Sequence, residues 1–156
     1  MNQKHFMALG SALFMTLSGA AIAASSHGHE AQHSTSAVSP PVNAGKKLAT
    51  DVPLRQAMAN IRQAMAGSLH DIHANKLSQK AYAALAKKVE DEVAYMVANC
   101  RLDKEADEQL HFIIADLLDG AGRMAGKVKS AKRQDGAVRV IGALDKYAAL
   151  FDDSRL

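Results

Sequence analysis

Seven histidines and one cysteine are the side chains of this 156-residue chain best suited to holding a metal ion. Neutral imidazole is a good ligand for Cu(II), Ni(II) and Zn(II), and thiolate for softer ions. His27-Gly28-His29 alternates imidazoles, and His33 follows four residues later. On a flexible segment these three can wrap one borderline cation, to which a newly cleaved amino terminus would add a nitrogen. The same stretch also reads as a solubilising linker. His70 and His73 stand three apart, adjacent on a helix surface, and supply at most two ligands of a site that needs more. They read equally as helix-end histidines favoured by the dipole. Cys100 is either a small core thiol or a soft metal ligand, and a lone cysteine can also bridge two copies of a chain. His111 sits one turn after Asp107, within pairing reach. With Met58 it is the one His and Met combination expected at one level near the core, which makes the pair a candidate for a haem or copper site.

Composition narrows the classes of function. Lys+Arg is 19 and Asp+Glu is 16, a net +3 that gives no strong single-sign field for nucleic acid. With only 4% aromatic residues and no Trp there is no platform for stacking bases either. One cysteine rules out a disulfide scaffold within the chain. The sequence holds no Gly-rich phosphate loop, no nucleophile with a base at recognisable spacing, and no paired Glu-x-x-His. The expectation is therefore a protein that is not an enzyme. Glu90-Asp91-Glu92 reads as a charged run on a solvated face.

These side chains need elements to position them. Residues 1–23 have the pattern of a secretory signal peptide: Lys4 early, an apolar run from Phe6, and Ala21-Ile22-Ala23 before the cut. No cysteine follows for lipid attachment and no Arg pair precedes, so cleavage into a periplasm is expected, with no membrane association afterwards. Residues 24–47 are Ser, His, Gly, Pro and Thr with almost nothing apolar, and are expected to be a disordered arm. Residues 48–156 carry helical periodicity. Leu54, Met58, Ile61, Met65, Leu69 and Ile72 make one helix face, after a cap at Thr50 or Asp51 and Pro53 in the first turn. Tyr82, Leu85, Val89, Val93, Met96 and Cys100 make a second, behind a cap at Ser78. Ala106, Leu110, Ile113, Leu117, Ala121 and Met124 make a third, widened by Ile114 and Leu118. Val138, Ile141, Leu144, Ala148 and Phe151 make a fourth, from about Asp135 to Asp152. Gly120, Gly122 and Gly126 near the end of the third imply close packing or an early stop.

Four amphipathic helices with short links imply an all-α fold, an antiparallel up-down-up-down four-helix bundle. In that order Met58 and His111 fall within ~5 Å of one height, Cys100 lies nearer the pole, and His70 and His73 lie ~15 to 20 Å away. The histidines thus form separate groups, which moves the metal expectation toward His27, His29 and His33, with Cys100 and His111 as further candidates.

Two resemblances follow from particular residues. Leu54-Arg55-Gln56-Ala57-Met58, with Ile61 and Met65, and the ending Asp145-Lys146-Tyr147-Ala148-Ala149-Leu150-Phe151 resemble cytochrome b562, a periplasmic four-helix bundle. The resemblance implies Met58 as a haem b ligand, while the family's His ligand after the Tyr is replaced here by Ala148. Ile72-His73, Asn99-Cys100-Arg101-Leu102, Ala106-Asp107 and Leu110-His111 are similar to small exported proteins of the DnrO type. That similarity implies no defined activity. The expectation is a non-enzymatic periplasmic bundle that binds or buffers a transition metal. A haem-binding electron carrier and an adaptor bundle with a protein partner are the alternatives, and the chain is expected as a monomer or weak dimer.

Overall fold

The computed structural model describes residues 45–153 and is all-α across them. The expected signal segment, and His27, His29 and His33, lie outside the described residues. Five helices follow in order: α1 (Val52–Ala66), α2 (Leu69–His73), α3 (Gln79–Asn99), α4 (Lys104–Ala125) and α5 (Arg133–Leu150).

The helix starts follow the capping logic of the sequence. Asp51 Oδ1 accepts from the Leu54 amide at 2.9 Å, and Pro53 takes a position where no amide partner is needed. Ser78 Oγ accepts from Ala81 N at 3.1 Å, and Asp103 Oδ1 from Ala106 N at 2.9 Å. α4 stops at Gly126, whose left-handed backbone (φ 80°) lets Lys127 N donate to Gly122 O at 2.9 Å.

The long first helix expected from the stripe Leu54 to Ile72 is broken. Gly67 and Ser68 end α1, and a single further turn, α2, follows. Ile72 remains buried, but Leu69, expected to face inward, is 37% exposed. Glycine weakens a helix interior, and serine competes for its own backbone, so the stripe persists in sequence while the helix does not.

α4 packs against both α3 and α5, α3 also packs against α1, and α1 meets α5 more lightly. The core is formed by Leu54, Met58, Ile61, Val89, Met96, Ile113, Leu117, Met124, Val140, Tyr147 and Phe151, all essentially inaccessible. α5 is turned by about one residue from the expected face. Ala137, Val140, Ala143, Leu144 and Tyr147 point inward, while Val138 is 58% exposed and Ala148 is also on the surface. The reason is the α4 contact. A Cβ built on Gly136 would lie 2.5 Å from Gly120 O, and one on Gly120 would lie 2.8 Å from Gly136 O. Backbone touches backbone there, and only the glycine-bearing face of α5 can approach so closely.

The two ends of the described chain are clipped together. Leu48 pairs with Phe151 in an isolated parallel bridge: Leu48 N donates to Leu150 O and Asp152 N to Leu48 O, both at 2.8 Å. Lys47, expected to belong to the arm, already donates to Ala148 O at 2.8 Å.

Candidate functional site

The end of the fold where α1 and α4 begin and α3 and α5 finish gathers most of the polar chemistry. Asp51 ties α1 to the α3–α4 turn: it caps α1, and its Oδ2 accepts from Arg101 N at 2.6 Å in that turn. The same carboxylate accepts from the Cys100 thiol. Cys100 is not on the buried stripe of α3, as its spacing implied. It is the half-buried residue that ends the helix, in extended backbone, because the chain must turn there to reach Asp103. Burial and then the Asp51 charge push its thiol up to about 12, with Asp107 adding to the effect and Arg101 opposing it. Near neutral pH it is therefore a protonated thiol and a poor nucleophile.

His111 is on the outer side of α4, its side chain 71% exposed. Its Nδ1 lies 2.8 Å from Asp107 O and 3.6 Å from Asp107 Oδ2, the one-turn pairing that the spacing implied. A ring that donates from Nδ1 to the carbonyl leaves Nε2 as its one lone pair for a cation. Met58, by contrast, is completely buried among core side chains. The structure does not bring a buried thioether and an outward imidazole into one axial pair, and Ala148, at the position where the cytochrome family has histidine, offers a methyl group. The residues present do not fit haem. His70 and His73 are exposed on the short α2. Among the described residues no three His, Cys, Asp or Glu side chains gather as a metal-binding group.

Residues that the sequence reading passed over hold this end together. Arg55 is only 7% exposed, and its guanidinium donates to Thr50 O and Thr50 Oγ1, both at 3.0 Å. Thr50 Oγ1 in turn donates to Asp152 O at 2.7 Å. Tyr147 stacks on Phe151 with ring centres 5.1 Å apart, and its hydroxyl donates to Asp153 Oδ1 at 3.0 Å. Burial and then the Asp153 charge hold that phenol well above its usual range, while Arg55 and Arg62 oppose the shift. Arg55 shares the helix face of Met58, three residues on, and that phase was the available signal. Glu92 is a second departure: it is buried, hydrogen-bonded by Asn60 Nδ2 at 3.1 Å and ion-paired with Lys88, rather than part of a solvated run. It stands three residues after Val89 and four before Met96, on the core stripe itself.

Two concavities among the described residues are lined by this chain's helices and its clipped end. A cleft of about 530 Å³ at the clipped end is lined by residues 45–50 with Asp103, Glu105 and Asp152. A groove of about 310 Å³ runs along the light contact between α1 and α5, lined by Arg62, Met65, Ala66, Leu69, Ile141, Leu144, Asp145 and Ala148. No helix among the described residues is long and apolar enough to cross a membrane. Compared with known proteins, the chain matches no family, no curated protein and no solved structure.

Proposed function

We propose that this is a non-enzymatic, exported protein of a bacterial periplasm. It binds a transition-metal ion through His27, His29 and His33, on an arm ahead of an antiparallel up-down-up-down four-helix bundle. The observation that carries the reading is the His27-Gly28-His29 alternation with His33 one short step away. The bundle arrangement is supported by α1, α3, α4 and α5 each meeting the next, with α1 returning to α5. The domain's own donors are arranged for other tasks. The Cys100 thiol keeps its proton under the Asp51 carboxylate, and the His111 ring is tied to Asp107. The metal role therefore rests on the arm, and the helical domain acts as its carrier.

The test is a titration of the mature protein, starting at Ala24, with Cu(II), Ni(II) and Zn(II), followed by calorimetry. One equivalent is expected to bind more tightly than millimolar. Replacing His27, His29 and His33 together by Ala is expected to abolish that binding, whereas Cys100→Ser and His111→Ala leave it unchanged. Affinities all weaker than millimolar, or binding that survives the triple replacement, would overturn the reading.

A further inference from the structure

We propose that the groove between α1 and α5 is a self-association surface that receives a second copy of this chain. This inference goes beyond the metal reading and does not depend on it.

Two observations carry it. The first is a second apolar stripe on α5. Besides its buried face, α5 presents Val138, Ile141 and Ala148 at helical spacing, with Asp145 among them. Val138 is 58% exposed, Ile141 is half-buried, and Ala148 is on the surface. Across the groove Met65, Ala66 and the 37%-exposed Leu69 form the facing wall. The glycine contact with α4 fixes α5 in a phase that leaves this stripe outside, and α1 does not close over it. The result is an apolar strip that runs along α5 beside the groove.

The second observation is the charge on the two walls. Arg62 stands on α1 and Asp145 on α5, both exposed and both lining the same groove. Neither makes a salt bridge or a side-chain hydrogen bond within the described residues, whereas Asp116 and Asp119 on α4 are both paired. An arginine on one wall and an aspartate on the other is a self-complementary pattern. A two-fold axis running along the groove lays α1 of each copy over α5 of the other. Arg62 then meets the partner's Asp145, and Asp145 meets the partner's Arg62. The apolar strips meet between the two ion pairs. The interface is small, so the dimer belongs to the weak, concentration-dependent class. The opposed charges set its register, and like charges at those positions would forbid it.

Sedimentation equilibrium of the mature protein in metal-free buffer is the test, with chelator present so that a metal-bridged dimer does not contribute. Wild type is expected to move from monomer to dimer between micromolar and millimolar concentration. Arg62→Asp places two like-charge pairs across the axis, as does Asp145→Arg, and each variant alone is expected to remain monomeric. An equimolar mixture of the two restores both ion pairs and is expected to dimerise again as a heterodimer. Circular dichroism of each variant checks that the fold is intact, and the mixing result reads only the contact between copies. Ile141→Asp is expected to abolish association in every background. A wild type that stays monomeric at millimolar concentration would overturn the proposal. So would dimers insensitive to Arg62→Asp and Asp145→Arg, or variants that fail to recover on mixing.

Discussion

α5 has two seams, and they are built in opposite ways. Against α4 it presents Gly136 and Val140, and the two backbones touch. Against α1 it presents Ile141, Leu144, Asp145 and Ala148, and a groove stays open. The same helix is thus drawn in by its smallest residues and held off by its larger ones. Closeness of approach, not hydrophobicity, sets which stripe is buried, because dispersion gains and area removed from water both grow as helices come nearer. Charge reinforces the closed seam. Arg139 reaches Asp116 at 2.9 Å and Asp119 at 2.6 Å, Lys146 reaches Asp116 at 2.5 Å, and Arg123 reaches Asp119 at 2.9 Å. No such network spans the open seam.

This contrast can be broken most sharply at the glycine. Gly136→Val forces α4 and α5 apart, and overpacking of this kind costs about 3 kcal/mol. The expected result is a large fall in thermal midpoint by calorimetry, and a midpoint near wild type would show that the seam is looser than its geometry. Tyr147→Phe keeps the stacked ring but removes the hydroxyl that donates to Asp153, a loss of about 1 kcal/mol in denaturant melts. It should also change the alkaline limb. The folded phenol is held above the ordinary 10.0, so its contribution is intact below about pH 10 and is lost as pH climbs toward the folded value. The variant should therefore lose less stability between pH 9 and 11 than wild type. Asp116→Ala removes the partner of Lys146 and leaves Arg139 with Asp119 alone, at a partly solvated site, and a cost below about 1 kcal/mol is expected, shrinking in high salt. Ile141→Ser, on the open seam, should change monomer stability least, by no more than about 0.5 kcal/mol in dilute solution. A cost as large as that of Gly136→Val would mean that the groove is closed in solution.

The sequence made the helical class and the caps legible because both are local. Asp51, Ser78 and Asp103 are followed by helices at the expected step, and Gly126 ends one. The phase of α5 was not legible. Two apolar stripes lie one residue apart on it, and the choice between them depends on Gly120, a residue on another helix. The break at Gly67-Ser68 carried a local signal, but the uninterrupted run of Leu54 to Ile72 outweighed it. The candidate site was legible only in its parts. His111 and Asp107 meet as one-turn neighbours must, yet whether His111 turns toward Met58 is a question of helix rotation, which spacing does not fix. Cys100 looked like one more stripe position, because periodicity does not reveal where a helix unwinds. Burial, and then Asp51 from almost fifty residues away, raise its thiol.

The pairing of Leu48 with Phe151 brings the first and last described segments of the helical domain side by side. The two segments run in parallel, so a linker joining them would have to turn back along the pair. Opening the chain instead at the polar turn after Gly126 would give a circularly permuted protein with the same core. In the natural order, this contact joins residues about a hundred positions apart, so it carries a large loop-closure cost and favours late formation. Lys47 and Leu48 are therefore anchored only once the last helix is in place.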